Sequence, residues 1–160
     1  MNLKNIYIIM YKKGNKMDNI KQIEHNGKIL SIIISNDYSK DGVEFFTPND
    51  FSQQLAYMKH PKGKRIDAHT HNIVPREVSY TKEVLVIRKG KLRVDFYEDD
   101  QTYIESHIVN QGDIILLAFG GHGFECLEEV EMVEIKQGPY LGEQDKVRFK
   151  GVETEKVKLV

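Results

Sequence analysis

A chain of 160 residues, 29% of them charged and with a formal net charge of −1, has the length of about one domain. It can bury roughly two thirds of its unfolded surface around one core, with no need of a disulfide or metal to fold. Lys and Arg are interleaved with acids, which argues against a nucleic-acid partner, because phosphate recognition needs a basic surplus gathered on one face.

Residues 1–16 contain the apolar run Ile6 to Met10 between lysines. The run is too short to cross a membrane and lacks a small-residue cleavage site, so no membrane partner is expected, and 1–16 read as a disordered arm or a mis-assigned start ahead of Met17. Residues 17–144 then form one domain, written in short alternating or apolar runs separated by turn residues, the pattern of an all-β sandwich or barrel.

The first expected strands are Ile29 to Ser35 and Gln54 to Lys59, with a single helical turn between them at Pro48 to Ser52. After the turn Pro61 to Lys64 comes an expected strand from Arg65 to His71. Side chains alternate faces along a strand, so His69 and His71 would point the same way, two imidazoles placed to chelate. Asn72 to Lys82 reads as a loop carrying Arg76 and Tyr80, candidate substrate contacts, since a guanidinium with a phenol can hold a carboxylate or phosphate. Tyr80 is also a candidate catalytic group.

Glu83 opens the apolar strand Val84 to Arg88, which turns at Gly90 into Leu92 to Tyr97, a hairpin signature. Thr102 to Val109, Asp113 to Ala118, Gly123 to Leu127 and Glu131 to Gln137 complete the strands. His122 follows a small-residue corner, Ala118 to Gly121, where a glycine-permitted bend can turn an imidazole inward. On the last strand Val133 and Ile135 read as core, opposite a solvated Glu134 and Lys136; the sharper alternative puts Glu134 in a cavity as a general base. The only cysteine, Cys126, rules out an internal disulfide and fits a reducing cytoplasm. It reads as a small buried apolar residue. His25, His60 and His107 match no motif and read as surface or turn residues. Asp145 to Val160 is a C-terminal tail whose Val147, Phe149 and Val152 are expected to dock on the barrel or on a neighbouring subunit.

Two glycine-anchored stretches stand out. One runs Gly63, five residues, His69, one residue, His71, and later Glu83, six residues, Gly90; the other runs Gly112, five residues, Ala118, then Gly120, Gly121 and His122. Together they resemble the two metal-binding motifs of the cupin superfamily across about Gln53 to Gln137. The spacing departs from the family's: eleven residues separate His71 from Glu83, leaving Glu77 as an alternative carboxylate, and Ala118 stands at the usual proline.

The resemblance implies a double-stranded β-helix, or jelly-roll barrel, with His69, His71, Glu83 and His122 around a divalent transition metal. Three imidazoles and a carboxylate suit iron, manganese, nickel, copper or zinc. It further implies a metal-dependent enzyme on a small polar metabolite, acting by isomerisation or oxygenation; a softer similarity to cupins of sugar and surface-polysaccharide biosynthesis points to a sugar-derived one. The alternatives are a metal-free sugar-nucleotide epimerase or isomerase working through a histidine and a tyrosine, and a non-enzymatic ligand- or metal-binding module. A homodimer is expected, because the unbroken apolar strands Val84 to Ile87 and Ile114 to Leu117 need cover on both faces.

Overall fold

A computed structural model describes residues 19–160 of the chain; the expectation for 1–16 lies outside them. Ten strands follow in order: β1 (Ile20–His25), β2 (Lys28–Ile34), β3 (Gly42–Phe45), β4 (Ala56–Lys59), β5 (Glu83–Lys89), β6 (Lys91–Tyr97), β7 (Tyr103–Asn110), β8 (Ile114–Leu117), β9 (Gly121–Cys126) and β10 (Glu131–Lys136). They form a five-stranded sheet in the order β1-β2-β8-β5-β10, a three-stranded sheet β7-β6-β9 and the hairpin β3-β4. All pairings are antiparallel. The described residues are thus all-β, without a closed barrel.

Alternation along the strands builds the core. On β6, Leu92, Val94 and Phe96 are buried and meet Leu85, Ile87, Ile115 and Ile33 of the five-stranded sheet. Fully burying side chains of this size stabilises by about 1.5–3 kcal/mol each. The opposite face of the large sheet carries Ile32, Ile34, Val84 and Leu116, which pack under Tyr38, Phe46, Phe51, Leu55 and Phe119. The apolar runs on β5 and β8 therefore find cover on both faces within one chain.

The expected hairpin at Gly90 is not one, because β5 and β6 lie in different sheets; this crossing and the one from β8 to β9 both need glycine. Gly90 has φ +82°, and a Cβ there would lie 2.0 Å from the Glu129 carbonyl oxygen; Gly120 has φ +71°, and its Cβ would lie 2.4 Å from the Tyr97 carbonyl oxygen. Both are left-handed positions pressed against backbone, where any other residue is strained and also clashes.

The tail docks on the outer face of the small sheet. Phe149 packs edge-on against Tyr97, ring centres 5.0 Å apart, and the phenol oxygens of Tyr97 and Tyr103 accept the backbone N–H groups of Val152 and Lys158, each at 2.9 Å. Leu159 bridges to Ser106. Val147, by contrast, is exposed.

Several expectations are corrected. Arg65 to His71 is not a strand: 60–82 contain neither strand nor helix, and every residue from 58 to 81 is exposed. Alternation there exists in the letters, but no strand among the described residues pairs with it. Pro48 to Ser52 makes a turn, with Phe51 N–H donating to the Pro48 carbonyl at 3.1 Å, and no helix. Val133 and Ile135 are exposed rather than core, because β10 is an edge strand and no described residue covers its outer face. Cys126 is exposed at the end of β9, likewise an edge strand. His107 is buried, not superficial: it faces the sandwich interior beside Phe96, with Nε2 2.8 Å from the Glu105 carboxylate.

Candidate functional site

At one end of the sandwich the inner faces of the two sheets carry polar groups instead of core. Glu83 lies on β5 two residues before Leu85 and so shares its inward face. His122 on β9 pairs with Phe96 and shares that residue's inward face. The two side chains meet between the sheets, Glu83 Oε2 3.2 Å from His122 Nε2.

Register brings in a third group. Lys136 is paired with Glu83 across β5 and β10, so it faces the same interior, its Nζ 3.2 Å from Glu83 Oε1 and 3.1 Å from Asp145 Oδ2. The His122 ring is the main cause that holds the Glu83 carboxyl down to about 2, against the upward push of burial, and Lys136 adds to the effect. Burial opposes the charge on Lys136, but Asp145 and Glu83 outweigh it and raise its pKa. Glu83 is thus an ionised, buried carboxylate gripped from both sides, which fixes its position.

The site opens into a cleft of about 850 Å³ that wraps the free edge of β9. Tyr80 and Thr81 form one side and Lys146 to Phe149 of the tail another. The sequence Gly120-Gly121-His122-Gly123 explains the division. With His122 turned inward, Gly121 and Gly123 leave the outer surface of β9 bare, and a Cβ at Gly121 would come 3.3 Å from both Tyr97 and Phe149. Tyr97 and Phe149 occupy that space, and the tail becomes a wall of the cleft.

On the outer face, Arg93 donates twice to Asp95, at 2.7 and 3.0 Å, and also pairs with Glu125; Asp95 accepts a further hydrogen bond from Ser106. Asp95 is the first cause of the raised pKa of Arg93. Arg93, Asp95 and Ser106 are buried and mutually satisfied, with Glu125 at the exposed rim, so they hold β6, β7 and β9 in place.

Lys82, next to Glu83 but on the opposite face, is buried against the rings of Phe51 and Phe119 at 5.1 and 4.9 Å, with Ser52 Oγ at 3.3 Å. Desolvation lowers its pKa.

Of the sequence-predicted residues, the structure brings together Glu83 and His122. His69 and His71 stay on the exposed segment, where their rings touch each other at 5.3 Å and His69 Nδ1 lies 3.0 Å from the Asp67 carbonyl. Among the described residues no group of three or more His, Cys, Asp or Glu side chains is placed to hold a metal ion. The chemistry of the donor set agrees: both oxygens of Glu83 are engaged, one by an ammonium that would repel a cation seated there. A four-ligand centre does not fit this arrangement. Arg76 is exposed, its guanidinium donating to the Val74 carbonyl at 3.3 Å, and does not line the cleft. Glu134 is an exposed residue of β10, and Glu77 is exposed on the irregular segment. Tyr80 does line the cleft, its ring 5.1 Å from Phe119.

Lys136 and Asp145 were missed as site residues. Only the pairing of β10 with β5 reveals which way Lys136 points, and a tail acid carries no motif. Compared with protein-family models, with curated proteins and with solved structures, the chain finds no match.

Proposed function

We propose that this chain is an acid–base catalyst of the cupin type, an isomerase or epimerase moving a proton on a small polar metabolite, sugar-derived in the nearest reading. The observation that carries the proposal is the contact of Glu83 Oε2 with His122 Nε2, 3.2 Å apart at a cleft wall. A carboxylate accepts only, so the neutral imidazole keeps its proton on Nε2 and leaves the Nδ1 lone pair as the base. A base oriented by a buried carboxylate can take a proton from a carbon made acidic by a neighbouring carbonyl. Lys136 forms ion pairs with Glu83 and Asp145, and its ammonium can also donate to a substrate oxygen that gains negative charge. Tyr80, at the cleft side, is the candidate acid for returning the proton. The two sheets and the two glycine-anchored motifs support the jelly-roll reading of the fold.

The test is proton exchange itself. The protein is incubated in D2O with keto-sugar phosphates and nucleotide-linked keto-sugars, and deuterium entering the carbon next to the carbonyl is followed by NMR. Exchange is expected with the native chain and at least about a hundredfold less with His122→Gln, the usual scale of a lost general base. Exchange at an equal rate in both would end the proposal.

A further inference from the structure

Residues 60–82 form an arm with neither strand nor helix, exposed from 58 to 81 without a break. An unstructured run of 23 residues is long for a compact domain. The arm is also not polar enough to be left in water: Ile73 is 101% exposed, Ile66 63% and Val74 52%. Its cations Lys62, Lys64, Arg65 and Arg76 have no ion-pair partner among the described residues, and they outnumber its acids, Asp67 and Glu77.

The same chain carries a surface of matching character. Strand β10 pairs with β5 on one side only, and its other edge is free among the described residues. Apolar side chains are exposed on both of its faces, Met132 on one and Val133 and Ile135 on the other. Strands this apolar normally lie inside a sheet, and a free apolar edge invites pairing. Glu131 and Glu134 on this strand have no ion-pair partner among the described residues.

We infer that the arm of one copy lies along β10 of a second copy, adding a strand to its five-stranded sheet, with each copy giving one arm and receiving one. The apolar residues of the arm would cover Val133 and Ile135, its cations would face Glu131 and Glu134, and its backbone would pair the free edge, the mode of strand addition. The second copy is favoured over the chain's own arm by topology. The arm enters β5 at Glu83, which is paired with Lys136 at the end of β10, so to reach the outer edge in the same chain it would have to cross that end. An arm from a neighbour crosses nothing, and a reciprocal exchange closes as a two-fold dimer. Ser79, Tyr80 and Thr81 at the root of the arm line the cleft, so the exchange joins the dimer to the site without depending on the chemistry proposed for it.

Sedimentation equilibrium of the full chain at micromolar concentration is expected to give a dimer. Ile73→Lys and Ile135→Lys should each weaken it at least about tenfold. Met58→Lys, at a residue about as exposed as Ile135 and outside both surfaces, should leave it unchanged. In a Cys126→Ser background, Ile73→Cys in one tagged copy and Val133→Cys in a copy with a different tag should cross-link between chains. A monomeric native chain, a dimer indifferent to both lysine substitutions, or a cross-link that forms only when both cysteines lie in one chain would each overturn the inference.

Discussion

The Glu83–His122 contact puts a measurable burden on the carboxyl. With its pKa held at about 2 rather than an ordinary 4.5, Glu83 contributes stability that is fully present above the unfolded value and is lost as pH falls from about 4.5 through about 2. Glu83→Gln should therefore flatten the decline in stability across that window, as followed by urea unfolding at stepped pH. An unchanged acid limb would mean that the contact contributes nothing in solution.

Lys82 makes the opposite expectation. A desolvated ammonium whose pKa is lowered weighs against folding at neutral pH, while the rings of Phe51 and Phe119 return roughly 0.5–2 kcal/mol through cation–π attraction. Lys82→Met keeps the packing and removes the charge, so it should leave stability unchanged or raise it by about 1 kcal/mol. A melting temperature lowered by many degrees would show that the ring contacts dominate.

At the scale of elements, two glycines separate conformational strain from collision. Gly27 has φ +76° with nothing within 4 Å of a Cβ, whereas at Gly120 the Cβ would collide with the Tyr97 carbonyl. Gly27→Ala should cost about 1–2 kcal/mol, the penalty of the left-handed region alone. Gly120→Ala should cost clearly more and disturb the His122 corner as well. Denaturant unfolding of the two variants reads the difference; equal costs would contradict the close approach seen at Gly120.

How far these elements were legible follows from how local their signals are. Strands β5 to β10 emerge from alternation bounded by Gly90, Gly112 and Gly121, but not their pairing: β5 and β6 read as a hairpin, whereas they lie in different sheets. Strand β1 was missed because its two isoleucines, Ile20 and Ile23, sit three apart and serve opposite faces, one packing under the outer cluster and the other in the inner core; a bulge also follows Ile23. Strand β3 has only four residues. The false strand at Arg65 to His71 arose from two histidines in alternation, a pattern that cannot report whether a partner strand exists.

For the whole molecule, sequence spacing put forward Glu83 and His122, which the structure brings into contact, and all-β as the class. It did not give the third member of the cluster, since Lys136 turns inward only through its register with Glu83, a property of two strands far apart in the chain. The same long-range pairing exposes Val133 and Ile135, which in isolation read as core. Docking of the tail is another whole-molecule property: Tyr97→Phe removes the acceptor for the Val152 N–H and should speed hydrogen exchange at Val152, at a cost of roughly 0.5–1.5 kcal/mol. Protection of Val152 equal to the native level would show that the tail is held by Phe149 and the Leu159 bridge instead.

In the proposed chemistry, Glu83 fixes the proton of His122 on Nε2 and leaves Nδ1 as the base. The nitrogen-15 NMR spectrum of the imidazole, recorded where the ring is neutral, reads that tautomer directly. An Nε2–H ring is expected in the native chain and a mixed or reversed tautomer in Glu83→Gln. A native ring protonated on Nδ1, or one indifferent to the loss of the Glu83 charge, would contradict it.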